Sequence, residues 1–274
     1  MKHDTFDKYP ADAMDLAQRA LLTTWDCLAA YRDELVLVGG LAIHHLTKQP
    51  VGGVRGTVTT DVDFGISIGA GGDMGSIQWT LSKQGFTWEK GRFERKFDQG
   101  PLYIDLLTDD DRSEKGSAMV DDSLQVSLFP GISRALEQNR LISVSGKTLL
   151  GVEHTECIRV AEVGPMMVLK LNAFGGPVGR KAPKDVHDVL YLAMNYLEGT
   201  PKAIAAFHEE KNAGNRGMPH ALHALRSYFS GPEAQGPMSC AAFRLNNRHL
   251  DPQFEEESMR IRQQCVTLAE ALLS

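Results

Sequence analysis

The sequence predicts an α+β protein, a mixed sheet with helices packed on it, followed by a mainly helical C-terminal region. Three observations carry this. Helical and strand-like patterns alternate through the first part of the chain and pass into a meander of short strand-like pieces. Along the strands the apolar residues recur with a period of two. Beyond Gly164-Pro165 the pattern becomes mostly that of helices.

Residues 11–31 read as an amphipathic helix, with Met14, Ala17, Leu21, Trp25 and Leu28 at helical spacing. Leu35-Val36-Leu37-Val38 is a short buried strand, and Gly39-Gly40 leads into a helix over about 41–47. Residues 50–56 are glycine-rich loop, 60–68 a second strand and 69–72 a turn. Asp73 is placed to cap a helix ending near Gly85. Strands are expected at 86–89, 92–97 and 102–108, with Gly91 and Gly100-Pro101 as turn residues, and over 141–150, broken by Gly146. In the C-terminal region Pro165 suits the first turn of a helix that carries Lys170. Residues 185–198 form a helix with one apolar stripe (Val186, Val189, Leu190, Ala193, Met194, Leu197), and helices are expected over 201–211, 218–229 and 255–273. A boundary near 155–165 gives one domain over 1–160 and a second over 161–274.

Composition narrows the class. An apolar content of 42% and a charged content of 23% fit an ordinary globular protein. Leu35 to Ile43 is among the longest apolar runs and falls well short of a membrane span. The opening Met1-Lys2-His3-Asp4-Thr5-Phe6-Asp7 carries acids and no secretory pattern, so no membrane partner and a cytoplasmic location are expected. Cys27, Cys157, Cys240 and Cys265 lie far apart and read as free, mostly buried thiols of a reducing compartment. The histidines show no metal-ligand spacing, and zinc is not expected. A net charge of −6 argues against a general nucleic-acid coat, although Lys170, Arg180, Lys181 and Lys184 form a local basic run without an acid.

The chemistry concentrates in four places. Two glycines at a strand-to-helix turn let a ligand approach the backbone, and helix-start N–H groups favour phosphate, so Gly39 and Gly40 are candidate nucleotide-binding residues with Thr60. Many glycine pairs are simply turns. In Thr60-Asp61-Val62-Asp63-Phe64-Gly65-Ile66-Ser67-Ile68 the alternation puts Val62, Phe64, Ile66 and Ile68 on one face and both aspartates on the other. Paired acids there are costly without a positive charge, and a divalent metal carrying a nucleoside triphosphate is the natural occupant. Asp105 is a lone acid in the apolar strand Leu102-Tyr103-Ile104-Asp105-Leu106-Leu107. It supplies the third carboxylate of a two-metal site, as metal ligand or general base. The alternative is a buried acid satisfied by Arg92 or Arg95. Finally, Lys170 on its apolar helix is a candidate triphosphate contact or a snorkelling surface lysine. Asp185 and Asp188 would orient Lys170 or reach the nucleotide sugar, while Asp185 equally suits a helix N-terminus.

In Gly39-Gly40, Asp61-Val62-Asp63 and Asp105, in that order and context, the chain resembles the DNA polymerase beta-like nucleotidyltransferase superfamily. With Lys170-Leu171-Asn172-Ala173 and Pro183-Lys184-Asp185-Val186-His187-Asp188-Val189 it is similar to the AbiEii-type branch, which includes toxins of toxin–antitoxin systems. The likeness covers about residues 35–195. It implies a nucleotidyltransferase core and transfer of a nucleoside monophosphate from an NTP to a hydroxyl with two Mg²⁺ ions. It further implies an RNA acceptor such as tRNA and an antitoxin protein as partner. Gly40 departs from the version that carries a serine there, leaving backbone contacts to phosphate. Other readings stay open: a small-molecule nucleotidyltransferase of the aminoglycoside type, a non-catalytic nucleotide-binding or regulatory protein on the same fold, and a sugar-nucleotide glycosyltransferase. The last lacks a long doubly wound nucleotide domain before its motif.

Overall fold

The computed structural model describes residues 3–48, 56–67, 75–98, 100–109, 116–119, 124–176 and 179–274. The expected turn at 69–72, the Asp73 cap, Ile68 and the loop from 50 to 55 lie outside them. The protein is α+β with a mixed open sheet, and the chain divides into two compact units. One takes Pro10–His45 and Val58–Glu162; the other takes Met1–Tyr9, Leu46–Thr57 and Val163–Ser274.

The first unit holds the sheet. Helix α1 (Ala13–Cys27) and a 3-10 turn (Ala29–Tyr31) lead to β1 (Leu35–Val38), α2 (Gly39–Leu46), β2 (Asp61–Ile66) and α3 (Gly75–Lys83). Strands β3 (Thr87–Glu89), β4 (Arg92–Phe97), β5 (Gly100–Thr108), β6 (Ser117–Met119) and β7 (Gln125–Leu128) follow. The unit closes with α4 (Ile132–Glu137), β8 (Asn139–Lys147) and β9 (Glu153–Ala161). The order across the sheet is β3-β4-β5-β2-β1-β9-β8, with β7 also joined to β5 and β6 to β7. Strand β2 is central, antiparallel to β1 and parallel to β5.

Local chemistry explains the key pieces. Leu35-Val36-Leu37-Val38 is buried at every position, as suits a strand covered on both faces. In β2, Val62, Phe64 and Ile66 are fully buried, and the Trp25 ring of α1 lies 6.0 Å from that of Phe64. The indole Nε1 donates to the Cys157 carbonyl at 3.1 Å, so this large ring is buried without stranding its polar atom. Lys90 and Gly91, with φ of 52° and 82°, form the two-residue turn between β3 and β4. Positive φ at both central positions matches the twist of the flanking strands and fixes where Arg92 begins β4.

The second unit is helical: α5 (Val163–Gly175), α6 (Pro183–Asn195), α7 (Thr200–Asn212), α8 (Met218–Tyr228), α9 (Gln235–Arg244) and α10 (Glu255–Leu273). Every residue of α5 is buried, as its all-round apolar sequence requires, and it packs against α6, α7 and α8. On α6 the expected stripe holds at Val186, Val189, Leu190 and Ala193, whereas Met194 and Leu197 are 45% and 46% exposed. A linear division at residue 160 differs from the observed one at Met1–Tyr9 and in the short segment after α2, both of which belong to the helical unit. In that segment Leu46 accepts from Leu197 N at 3.0 Å, Lys48 N donates to the Asn195 carbonyl at 2.9 Å, and Thr47 bridges Tyr196. Among the cysteines, Cys240 and Cys265 are buried, Cys27 is half-buried and Cys157 is exposed, which corrects the expectation of mostly buried thiols.

Phe64→Ala should cost about 3–5 kcal/mol of folding stability, the range for emptying a packed aromatic site. Urea unfolding followed by Trp fluorescence checks it.

Candidate functional site

Register assembles the polar face of the sheet. Along β2 and β5 the pairs are Asp61 with Tyr103 and Asp63 with Asp105. Phe93 of β4 pairs with Ile104, which brings Arg92 beside Asp105. Alternation in a pleat then sends Asp61, Asp63, Tyr103 and Asp105 to one face. Val62, Phe64, Ile104 and Leu106, none more than 1% exposed, go to the other.

Arg92 reaches into this face. Its Nε donates to Asp105 Oδ1 at 2.8 Å and its Nη2 to Asp105 Oδ2 at 2.6 Å. The same Nη2 lies 3.8 Å from Asp61 Oδ2, and the guanidinium carbon 3.8 Å from the centre of the Tyr103 ring. Of the two partners the sequence offered Asp105, Arg92 takes the role; Arg95 instead donates to the Gln84 carbonyl at 2.7 Å. Burial pushes Asp105 up to about 7, helped by the charges of Asp63 and Asp61 and opposed by Arg92. Burial disfavours the Arg92 charge too, but Asp105, Asp61 and Asp63 outweigh it and hold the guanidinium above its ordinary range.

The glycines serve the carboxylates directly. A Cβ on Gly39 would lie 1.9 Å from Asp63 Oδ2, and Gly39 has a φ of +75°, so Asp63 sits against a bare Cα at the start of α2. A Cβ on Gly40 would lie 2.8 Å from the Cβ of Thr59. The Thr59 hydroxyl donates to the Asp61 carbonyl at 3.2 Å and accepts from Asp61 N at 3.1 Å. Thr60 Oγ1 donates to Asp61 Oδ1 at 3.2 Å. Thr59 is the contact that motif reading missed, because its neighbour Thr60 carried the attention.

Asp61, Asp63 and Asp105 thus share a face, yet their oxygens do not close on one point. Among the described residues, Asp26, His154 and Glu156 are the group that brings three donor atoms within 4.8 Å of one another. The aspartate donor set is hard carboxylate oxygen, the ligand type that Mg²⁺ takes, with the Arg92 guanidinium standing as the cation against Asp105. The other cluster is assembled in space rather than by sequence spacing, since its members come from α1 and β9. His154 Nε2 is 2.9 Å from Glu156 Oε1 and 3.7 Å from Asp26 Oδ1. Arg32 Nη2 donates to the same Glu156 oxygen at 2.8 Å. Burial would raise Glu156, but the bonds from His154 and Arg32 outweigh it and lower its pKa. Glu156 is already engaged by Arg32 and His154.

In the helical unit, Lys170 is not a snorkelling surface residue: its side chain is 7% exposed. Its Nζ donates to Asp188 Oδ2 at 2.7 Å and lies 3.6 Å from Asp185 Oδ1. Lys184 Nζ bonds the same Asp188 oxygen, and Thr57 Oγ1 donates to Asp188 Oδ1 at 3.1 Å. Burial would raise Asp188, but Lys170 and Lys184 hold it well below the carboxylate range. Burial in turn lowers Lys184. The basic run is corrected accordingly. Lys170 and Lys184 are buried ion-pair members, Lys181 Nζ sits 3.3 Å from the centre of the Tyr228 ring, and Arg180 lies 3.8 Å from Asp185. In comparisons with known proteins, no family model matches this chain and no curated sequence is significantly similar to it.

Asp188→Ala should destabilise the protein by roughly 3–5 kcal/mol, because it removes the buried carboxylate that both Lys170 and Lys184 bond; chemical denaturation measures it. The Asp105 shift has a definite sign. A carboxyl raised from its ordinary 3.8 to about 7 keeps its proton in the folded state after the unfolded chain has lost it, so its contribution to stability falls as pH rises from about 4 to 7. Asp105→Asn should therefore gain on the parent protein by on the order of 2 kcal/mol across that window in metal-free buffer. This is less than the full shift implies, because the side chain is 24% exposed. Parallel stability–pH curves would refute it.

Proposed function

We propose that the sheet unit catalyses metal-dependent nucleotidyl transfer, moving a nucleoside monophosphate from an NTP to a hydroxyl and releasing pyrophosphate. One observation carries the reading: Asp63 and Asp105 stand abreast in register with Asp61 on the same face, so that three carboxylates from two neighbouring strands share the polar side of a packed sheet. Hard carboxylate oxygens grouped in this way suit divalent cations. Asp61 and Asp63 would hold two Mg²⁺ ions, with Asp105 completing the activating position. Bound there, the ions would supply Lewis-acid stabilisation of the triphosphate and of the attacking oxygen.

The chain's own residues do the rest. Gly39 leaves the space in which the Asp63 carboxylate sits, and Thr59 and Thr60 hold the backbone and side chain of Asp61. The start of α2 offers backbone N–H groups to phosphate at Gly39 and Gly40. As an alternative to holding the activating metal, Asp105 would take the proton of the attacking hydroxyl as general base while the new O–Pα bond forms and the bond to pyrophosphate breaks. A nucleotide-binding role for Lys170, Asp185 and Asp188 rests on the sequence resemblance alone, since within the helical unit they form a buried ion-pair network. The RNA or tRNA acceptor and the antitoxin partner of an AbiEii-like toxin rest on the sequence resemblance, since the buried lysines remove the argument from a basic run. Among the described residues no helix is long and apolar enough to cross a membrane.

A second reading draws on the Arg92 clamp. An internally bonded Asp105 also suits a protein that binds nucleotide without turning it over. Incubation with each radiolabelled NTP, Mg²⁺ and total RNA separates the two. Transfer predicts label on an acceptor with release of pyrophosphate, and a loss of roughly a thousandfold or more in Asp63→Asn, as for removal of a group that stabilises charge in the transition state. Labelling by Asp63→Asn at the full rate would end the assignment. Retained nucleotide with no pyrophosphate would establish the second reading.

A further inference from the structure

The polar face of the sheet carries its own cation, and that cation stands where a metal would have to stand. Arg92 grips both oxygens of Asp105 and comes within 3.8 Å of Asp61. With the guanidinium there, the aspartates do not bring three oxygens within 4.8 Å of one another. Two cations at a few ångströms repel, so a metal shared by Asp61 and Asp105 and a guanidinium bonded to Asp105 exclude each other.

Resting on the nucleotidyl-transfer reading, we infer that Arg92 is a displaceable internal counter-ion: it holds Asp105 in the metal-free site and, when a divalent cation and a triphosphate enter, turns off Asp105 to the phosphates while staying on Tyr103. Three features make this a side-chain movement. The Lys90-Gly91 turn fixes the backbone of Arg92 at the start of β4. The Tyr103 ring, 3.8 Å from the guanidinium carbon, supplies a hold that is independent of any carboxylate. The planar fork of arginine matches phosphate oxygens as well as it matches a carboxylate. Arg92 is then a positioning residue in the empty site and a phosphate ligand in the loaded one.

A signature follows that a merely structural ion pair would not give. Metal alone must displace Arg92 without compensation, whereas metal with nucleotide offers it a new partner. Mn²⁺ binding, followed by electron paramagnetic resonance, is measured with and without α,β-methylene NTP analogues for the parent protein, Arg92→Gln, Arg92→Lys and Asp63→Asn. Arg92→Gln should bind Mn²⁺ alone about tenfold more tightly than the parent and the Mn²⁺–analogue complex about tenfold more weakly. Arg92→Lys, which keeps the charge but loses the fork, should fall between them and serves as the readout if Arg92→Gln does not fold. If Asp63→Asn abolishes Mn²⁺ binding while the Arg92 variants leave both affinities unchanged or weaken both, the inference is overturned and the nucleotidyl-transfer reading survives. If the parent binds no Mn²⁺, or binds it regardless of Asp63, the two fall together.

Discussion

Three carboxylates on one face of a central pair of strands, with Arg92 clamped on Asp105 and close to Asp61, form the interaction around which the sheet unit is organised. The opposite faces of β2 and β5 are fully apolar and packed, so Asp61, Asp63 and Asp105 cannot turn inward or slide in register without burying their charges in hydrocarbon. Gly39 has no side chain because Asp63 needs its space, and the turn before Arg92 adopts its conformation so that the arginine starts β4 beside Asp105. Burial raises the Asp105 carboxyl to about 7, with the charges of Asp63 and Asp61 adding to it and Arg92 opposing it.

The helical unit buries its charges together. There two lysines meet two aspartates, all with side chains no more than 7% exposed, and Thr57 serves a further lone pair of Asp188. Such a network is internally matched and fixes α6 against α5. On the sheet face Arg92 bonds Asp105 and approaches Asp61. The proposal places the divalent cation there because hard carboxylate oxygens from two strands share that face.

Much of this was legible in the sequence, for reasons that can be named. The alternation from Asp61 to Ile66 and through Leu102 to Leu107 announced two strands with acids on one face, since a period of two admits one arrangement. Strand β9 escaped because its first half alternates among polar residues and only Ile158, Val160 and Ala161 are buried in it. Helix α9 carries Gly236 and Pro237 in its first turn, which read as breakers. At the site, Arg92 was recognisable as one of two possible partners for Asp105, but only the β4–β5 register selects it over Arg95. The ion network of Lys184 was invisible for another reason: in a linear run of basic residues a buried lysine and a solvated one look alike. The cluster of Asp26, His154 and Glu156 joins α1 to β9 and likewise has no local signature.

Diffraction from crystals grown with Mn²⁺ and an α,β-methylene NTP analogue, using the anomalous signal of manganese, tests the organising interaction most directly. Manganese coordinated by Asp61 and Asp63, with the fork of Arg92 turned away from Asp105, is the expected result. Ions absent from that face, with the fork still closed on Asp105 and nucleotide bound elsewhere, would contradict it.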